Sequence, residues 1–392
     1  MRACIYIVSL IILLLFPVCS GQKNIRPGAD RTELYLALLN DKKIGIVANQ
    51  TSLIGATHLV DSIHSMGSDL AMIWSVFSPE HGFRGEAEYG ETVEDRVDQK
   101  TELPVISLYG RNRKPTEGDL VDLDLVLFDI QDVGVRFYTY ISTLFYVMQA
   151  CAENGVGVLV LDRPNPNGFY VDGPVLEPEY SSFVGMHEVP VVYGMTIGEY
   201  ARMINGEGWL GGGLTCNLKV IPCENYTHQG SYKLPVPPSP NLPNMNSIFL
   251  YPSICFFEGT VISEGRGADA PFEVFGHPDL PGMDYSFTPE SQPGRATHPK
   301  HEGKLCYGKD LRYLRDSTDR TAMLNLSWLI TAYQDFPTKD SFFIPYFENL
   351  AGTAKLRQQI IEGLSEQEIR ATWSDDLEAF LKIRKKYLIY PE

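Results

Sequence analysis

The chain has 392 residues, more than one compact core usually holds, so about two domains are expected. Its composition is ordinary for a globular protein, 44% hydrophobic and 21% charged, and its formal charge of −16 speaks against nucleic acid or an anionic lipid surface as the main partner, because phosphates would be repelled. Neutral ligands, or anions met by local cations, are what this balance leaves.

The chain opens with Met1-Arg2, an apolar run over residues 5–18 and then Cys19-Ser20-Gly21-Gln22, the layout of an export signal cut near Gly21. That run is short for a bilayer span and no later stretch is long or apolar enough, so the mature chain is expected to be exported to the periplasm without stable membrane insertion. Cys19 leaves a lipid-anchored form as the alternative, opposed by the bulk of Val18 just before it. Beyond residue 21 five cysteines remain, Cys151, Cys216, Cys223, Cys255 and Cys306, at spacings that suit neither a metal site nor a disulfide framework. A bridge between Cys216 and Cys223 is the one pairing left open.

From residue 43 onward, short β-rich runs alternate with helix-like segments. The runs cover residues 44–48, 71–77, 104–108, 123–128 and 156–161, and most are apolar at consecutive positions, the pattern of strands buried on both faces of a parallel sheet. Tyr138, Ile141, Leu144, Phe145 and Met148 recur at helical spacing and stop near Asn154-Gly155. Thr196 and Glu199 form a capping box before the stripe Ile197, Tyr200, Ala201 and Ile204. Both stripes read as core. The five prolines between Pro235 and Pro243 read as a stiff connector, followed by a Gly- and Pro-rich region to about residue 300 in which no element is assigned. Ser365 and Glu368 then cap a helix, and Leu377, Phe380, Leu381, Arg384 and Leu388 describe an amphipathic one. The expected organisation is an α/β domain over residues 22–240 and a smaller α+β domain over 241–392.

In an open parallel sheet, ligands bind beyond the carboxyl ends of the strands. The five runs end, in order, at Asn49-Gln50-Thr51, Glu80-His81, Tyr109-Gly110-Arg111, Asp129-Ile130-Gln131-Asp132 and Asp162-Arg163-Pro164-Asn165, so polar groups collect at one edge. Any one of these alone reads as an ordinary solvated turn; the succession points to a site. Arg136 falls where the helix dipole of the 138–148 segment disfavours a cation, which an anionic ligand, Asp129 or Asp132 would offset; a local salt bridge to Asp132 explains it equally well. No glycine-rich nucleotide loop and no G-x-S-x-G elbow is present, so no cofactor is implied, and the histidines of His298-Pro299-Lys300-His301-Glu302 lack metal-site spacing. Chemistry, if any, rests on carboxylates: Glu80, Asp129, Asp132, Asp162, Glu258 and Glu264. Two carboxyls suit glycoside hydrolysis, where one donates a proton to the leaving oxygen and the other stabilises or attacks the sugar carbon. Tyr138, Tyr140 and Phe83 could offer ring faces to a sugar, although such residues are more often plain core.

The segments Pro79-Glu80-His81-Gly82-Phe83-Arg84-Gly85, Phe128-Asp129-Ile130-Gln131-Asp132-Val133-Gly134, Arg136-Phe137-Tyr138-Thr139-Tyr140, Leu161-Asp162-Arg163-Pro164-Asn165-Pro166, Pro238-Ser239-Pro240-Asn241, Phe257-Glu258-Gly259-Thr260, Ser263-Glu264-Gly265-Arg266-Gly267 and Leu350-Ala351-Gly352-Thr353 resemble the exo-β-N-acetylmuramidase family, long catalogued as a domain of unknown function. The resemblance runs from about residue 40 to the end, and departs at Gly267-Ala268-Asp269-Ala270-Pro271, where threonines are expected. It implies a Rossmann-like domain without nucleotide, a smaller second domain and a cleft between them. It also implies release of N-acetylmuramic acid from the non-reducing end of peptidoglycan fragments, with Glu80 as the catalytic acid. Asp129 and Glu258 are the candidates for the second carboxyl. Asn49, His81, Arg84, Gln131, Arg136, Tyr138, Asp162, Arg163, Asn165, Glu264 and Arg266 are the candidate substrate contacts. Muramic acid carries a lactyl carboxylate, for which Arg84, Arg136, Arg163 and Arg266 are the cations at hand. The rival readings are a non-catalytic periplasmic sugar-binding protein and, third, a metal-dependent amidase.

Overall fold

The computed structural model describes residues 24–67, 70–80, 82–85, 95–316 and 323–392. The expected export signal, Cys19 and His81 lie outside these described residues. All five predicted runs are strands of one seven-stranded sheet. Its strands are β1 (Lys42–Ala48), β2 (Ala71–Ser78), β3 (Arg96–Val97), β4 (Pro104–Ser107), β5 (Leu125–Asp129), β6 (Gly157–Leu161) and β7 (Leu218–Ile221), in the order β7-β6-β5-β1-β2-β4-β3. Every neighbouring pair is parallel except β3 with β4 at the edge.

The consecutive apolar positions have a direct cause: adjacent residues of a strand serve opposite faces. Ile46, Leu127 and Leu159 pack with Tyr35 and Ile63 on one face, while Val47, Phe128 and Val160 pack on the other. There they meet Leu144 and Met148 of the helix α2 (Tyr140–Asn154), which follows α1 (Leu59–Ser65). Gly155 ends α2 in the left-handed conformation at φ 70°. The next helix, α3 (Ile197–Gly206), begins with the predicted capping box, and Ile197, Tyr200, Ala201 and Ile204 are buried in the same core.

From β1 the chain moves outward to β2 and β4, then returns to the other side of β1 for β5, β6 and β7. The switch point therefore lies between the carboxyl ends of β1 and β5, where a ligand crevice is expected.

The C-terminal part is smaller. Its strands β8 (Val274–His277), β9 (Tyr285–Phe287) and β10 (Cys306–Asp310) form an antiparallel sheet with β10 in the middle, and short helices follow to Ser374–Arg384. The region left unassigned from sequence starts with α4 (Met245–Ile254), capped by Asn244 and carrying Pro252 in its interior, which hides it from a periodicity reading. Phe256, Phe272 and Phe347 of this part belong to the same buried cluster as α2, so the two parts share one core. The proline connector is anchored through its carbonyls: Pro238 O accepts from the Tyr138 hydroxyl at 2.8 Å and from Gln50 Nε2 at 3.2 Å. Cys216 and Cys223 are separate buried thiols, so the one pairing left open is not made. No helix among the described residues is long and apolar enough to cross a membrane.

Candidate active site

Two of the five strand ends feed a cavity of about 280 Å³ between the sheet edge and the C-terminal part: Glu80 after β2 and Tyr109 after β4. Tyr138 and Thr139 from the start of α2 complete the wall on that side, and Glu258, Arg266, Phe272 and Tyr346 close it from the other. Glu80 sits in a turn in which the Gly82 amide donates to Pro79 O at 3.1 Å. The residue is 7% exposed. Oε2 accepts from Thr139 Oγ1 at 2.9 Å, while Oε1 has no hydrogen-bond partner among the described residues. Burial pushes the pKa of the Tyr109 phenol up, together with the Glu80 charge and its side-chain contact with Glu80. Tyr138 uses its hydroxyl on Pro238 and packs edge-on against Tyr140 and Tyr251, which leaves its ring as cavity wall.

Glu258 projects from the tight turn Cys255–Gly259, whose carbonyls are gathered by Lys300 Nζ, at 2.7 Å from Phe257 O. Burial pushes its carboxyl above the ordinary carboxylate range, against Arg266, which donates to Oε1 at 2.7 Å. Glu264 lies behind, 3.3 Å from Arg266 Nε and 3.2 Å from Lys300. Burial would raise it too, but Lys300 and Arg266 outweigh that and hold it low.

The remaining strand ends do not line the cavity. At the switch point the crevice is filled from within. Asp129, fully buried, takes Arg163 Nε at 2.6 Å and Nη2 at 2.8 Å, and Arg163 reaches on to Leu53 O at 3.1 Å. Asn49 donates to the Tyr140 hydroxyl at 2.9 Å, and Gln131 to Asp132 O and Pro164 O, each at 2.8 Å. Asp162 accepts from Thr196 Oγ1, the Gly198 amide and the Tyr390 hydroxyl, and Asn165 donates to Met195 O. Asp129 is thus a structural ion pair apart from Glu80, and Asn49, Gln131, Asp162, Arg163 and Asn165 hold the loops rather than face the cavity.

Arg136 also departs from expectation. It pairs with neither Asp129 nor Asp132: its guanidinium is fully buried and donates to the carbonyls of Pro174, Val189, Leu350 and Ala351. Four carbonyls solvate the charge that the helix start disfavours. Asp132 is met instead by the Tyr193 hydroxyl and the Gly134 amide. Arg84 lies between Asp61 and Asp98 at 3.0 and 2.7 Å, away from the cavity wall. The lysine and histidine of 298–302 support backbone, with His301 Nε2 2.6 Å from Val261 O.

The cavity also contains residues that the sequence did not single out: Thr139, Arg113, Ser182, Phe183 and Asn349. Thr139 and Asn349 lie within or beside the quoted motifs, so proximity was a usable signal. Arg113, Ser182 and Phe183 sit in unremarkable loops and carried none.

A buried carboxyl with one unpartnered oxygen, set among ring faces, suits proton donation to a sugar acetal. The chain falls in the class that does this, the glycoside hydrolases. It belongs to the exo-β-N-acetylmuramidase family: the family model described as "Exo-beta-N-acetylmuramidase NamZ, N-terminal" matches residues 44–246, and its C-terminal counterpart matches residues 249–390. The chain is 40% identical over 382 residues to the peptidoglycan beta-N-acetylmuramidase NamZ of Bacillus subtilis (strain 168), covering 91% of this chain and 89% of that one. Two crystal structures of DUF1343 family proteins from Bacteroides fragilis NCTC 9343 share the fold. One has 47% identity and a TM-score of 0.87 over 94% of this chain and 99% of its own. The other has 28% identity and a TM-score of 0.79 over 93% and 99%.

Proposed function

We propose that the chain hydrolyses the β-glycosidic bond of an N-acetylmuramic acid unit at the non-reducing end of peptidoglycan-derived saccharides, with Glu80 as general acid. The observation that carries this reading is the Glu80 carboxyl itself: buried in the cavity wall, oriented by Thr139 through one oxygen and left without a hydrogen-bond partner at the other. Glu80 gives its proton to the glycosidic oxygen as the bond from that oxygen to the anomeric carbon breaks, and water adds to the carbon and loses a proton. Glu258 is the second carboxyl in this scheme, since it shares the cavity wall and Asp129 does not. A cavity at the small end of the usual ligand-pocket range, roughly 300–1,000 Å³, favours a terminal sugar over the middle of a strand. The export-signal layout of residues 1–21 supports placement in the periplasm, where such saccharides arise.

The test is Glu80→Gln, which keeps the shape and the Thr139 contact but has no acidic proton. Turnover of a chromogenic N-acetylmuramide is expected to fall by about 10²–10⁴-fold, with an unchanged melting temperature. A variant that retains a near-normal rate overturns the assignment of Glu80.

A further inference from the structure

The four arginines that the sequence offered for a carboxylate all have internal partners: Arg84 has Asp61 and Asp98, Arg136 four carbonyls, Arg163 Asp129, and Arg266 Glu258 and Glu264. Of these only Arg266 reaches the cavity wall, where its charge is matched by the two glutamates beside it. The other cation on the wall is Arg113, on the loop between β4 and the short helix Glu117–Leu120. Among the described residues Arg113 has no carboxylate or carbonyl partner. Its guanidinium lies over the Phe183 ring, 4.2 Å from the centroid.

That ring is a fixed support. Phe183 sits in a turn closed by the Ser182 amide donating to Gly185 O at 2.8 Å and the Gly185 amide returning to Ser182 O at 3.0 Å. Ser142 Oγ on α2 donates to Phe183 O at 2.7 Å, and the ring stacks on Tyr146 at an interplanar angle of 17°. A guanidinium placed against an aromatic face is restrained in orientation while its in-plane N–H donors stay available, the arrangement that meets a carboxylate with two parallel hydrogen bonds. Next to the ring, the buried Ser182 Oγ in the cavity wall has no hydrogen-bond partner, so it is a second donor that the described residues leave unused.

We propose that Arg113, supported by Phe183 and with Ser182 beside it, binds the carboxylate of the substrate, the lactyl group that separates N-acetylmuramic acid from N-acetylglucosamine. This rests on the hydrolase reading above and adds to it the residue that sets sugar specificity. In a chain of net charge −16, an anionic sugar needs a local cation, and Arg113 supplies one at the rim while Glu80 lies within reach of the same cavity. Its exposed position makes the contact sensitive to salt.

The experiment measures binding and turnover separately, on the full chain, for wild type, Arg113→Gln and Arg113→Lys. Calorimetry compares N-acetylmuramic acid with its neutral lactyl methylamide; kinetics compare chromogenic glycosides of the same two sugars. Wild type is expected to bind the acid about tenfold or more tightly than the amide, the order of a charge-assisted hydrogen-bonded pair. Arg113→Gln should erase that preference by weakening the acid alone, with kcat/KM for the amide within about twofold of wild type, and Arg113→Lys should restore part of it. A preference that survives in Arg113→Gln, a wild type without preference, or equal losses on both sugars overturns the proposal. An Arg113-dependent preference in a protein that releases no sugar upholds the carboxylate contact and sinks the hydrolase reading. Turnover that is indifferent to the lactyl charge does the reverse.

Discussion

Arg266 illustrates how one side chain can look like a substrate contact and be a structural one. Its guanidinium stands at the cavity, yet it holds Glu258 at 2.7 Å and Glu264 at 3.3 Å; Glu264 is buried and Glu258 largely so. Removing it leaves the buried Glu264 with Lys300 alone and the largely buried Glu258 without its cation, and breaking a buried pair from one side typically costs about 3–5 kcal/mol. Arg266→Met is therefore expected to lower the urea midpoint by an amount of that order and to weaken muramide and glucosaminide alike. A stable variant that discriminates between the two sugars would make Arg266 a lactyl contact after all. The sequence showed Glu258, Glu264 and Arg266 in one short segment, where an apolar run gives way to Gly265 and Gly267. It could not show that the two acids already take up the charge.

The element that carries Glu80 is the loop after β2, held to the body by the buried Phe83 ring and by an electrostatic clamp. Arg84, four residues on, ties this loop to Asp61 on α1 and to Asp98, which also accepts from the Thr101 amide and hydroxyl. Burial would push Asp98 up, but hydrogen bonds from Arg84 and Thr101 outweigh it and hold the carboxyl at about 2. The unfolded chain has its aspartates near the ordinary value of about 3.9. A carboxyl whose folded pKa lies below its unfolded one contributes stability that is complete above the unfolded value and is lost as pH falls through the folded one. Stability should thus decline between about pH 4 and pH 2, and Arg84→Met should flatten that part of the profile while lowering stability at pH 7. Urea unfolding from pH 7 down to pH 2 measures both, and parallel profiles for the two proteins would show that the clamp is not the acid-labile element. The loop was legible as a turn from Pro79, Gly82 and Gly85. Its anchors, at sequence distances of 14 and 23 residues, were not.

At the scale of the whole molecule, the C-terminal part is joined to the sheet domain by buried polar contacts as well as by the shared core. Arg136 donates to Leu350 and Ala351, and Gly352 takes φ 73° beside it, where a Cβ would come within 2.5 Å of Arg136 Nη2. The last residues fold back against the carboxyl end of β6 and the start of α3. Glu199 accepts from the amides of Ile389 at 2.7 Å and Tyr390 at 3.3 Å and meets His228 at 3.1 Å, while the Tyr390 hydroxyl reaches Asp162. Deleting residues 389–392 would leave Glu199 and Asp162 buried with fewer partners, at a cost of about 1–3 kcal/mol for each group left unsatisfied. The truncated chain is expected to show a lower midpoint in a single cooperative transition, and Tyr390→Phe a smaller drop of about 1 kcal/mol. An unchanged midpoint after deletion would mean that the tail is only an accessory to these carboxylates.

Much of this architecture follows from local order in the chain. Consecutive apolar positions marked β1, β2, β4, β5 and β6 because each strand must satisfy two buried faces, and the Thr196 and Ser365 capping boxes marked helix starts because orphan amides there need nearby acceptors. The motif series was enough to indicate the family. What tertiary structure alone decided is which polar strand ends remain open. Asp129, Asp162 and Glu80 follow their strands in the same manner, but Arg163 answers Asp129 from 34 residues away and Tyr390 answers Asp162 from 228. Glu80 keeps one oxygen without a partner. Whether a buried carboxylate is a structural tie or a site depends on how many of its acceptor positions other parts of the chain fill, and that is a property of three-dimensional proximity rather than of residue type or spacing.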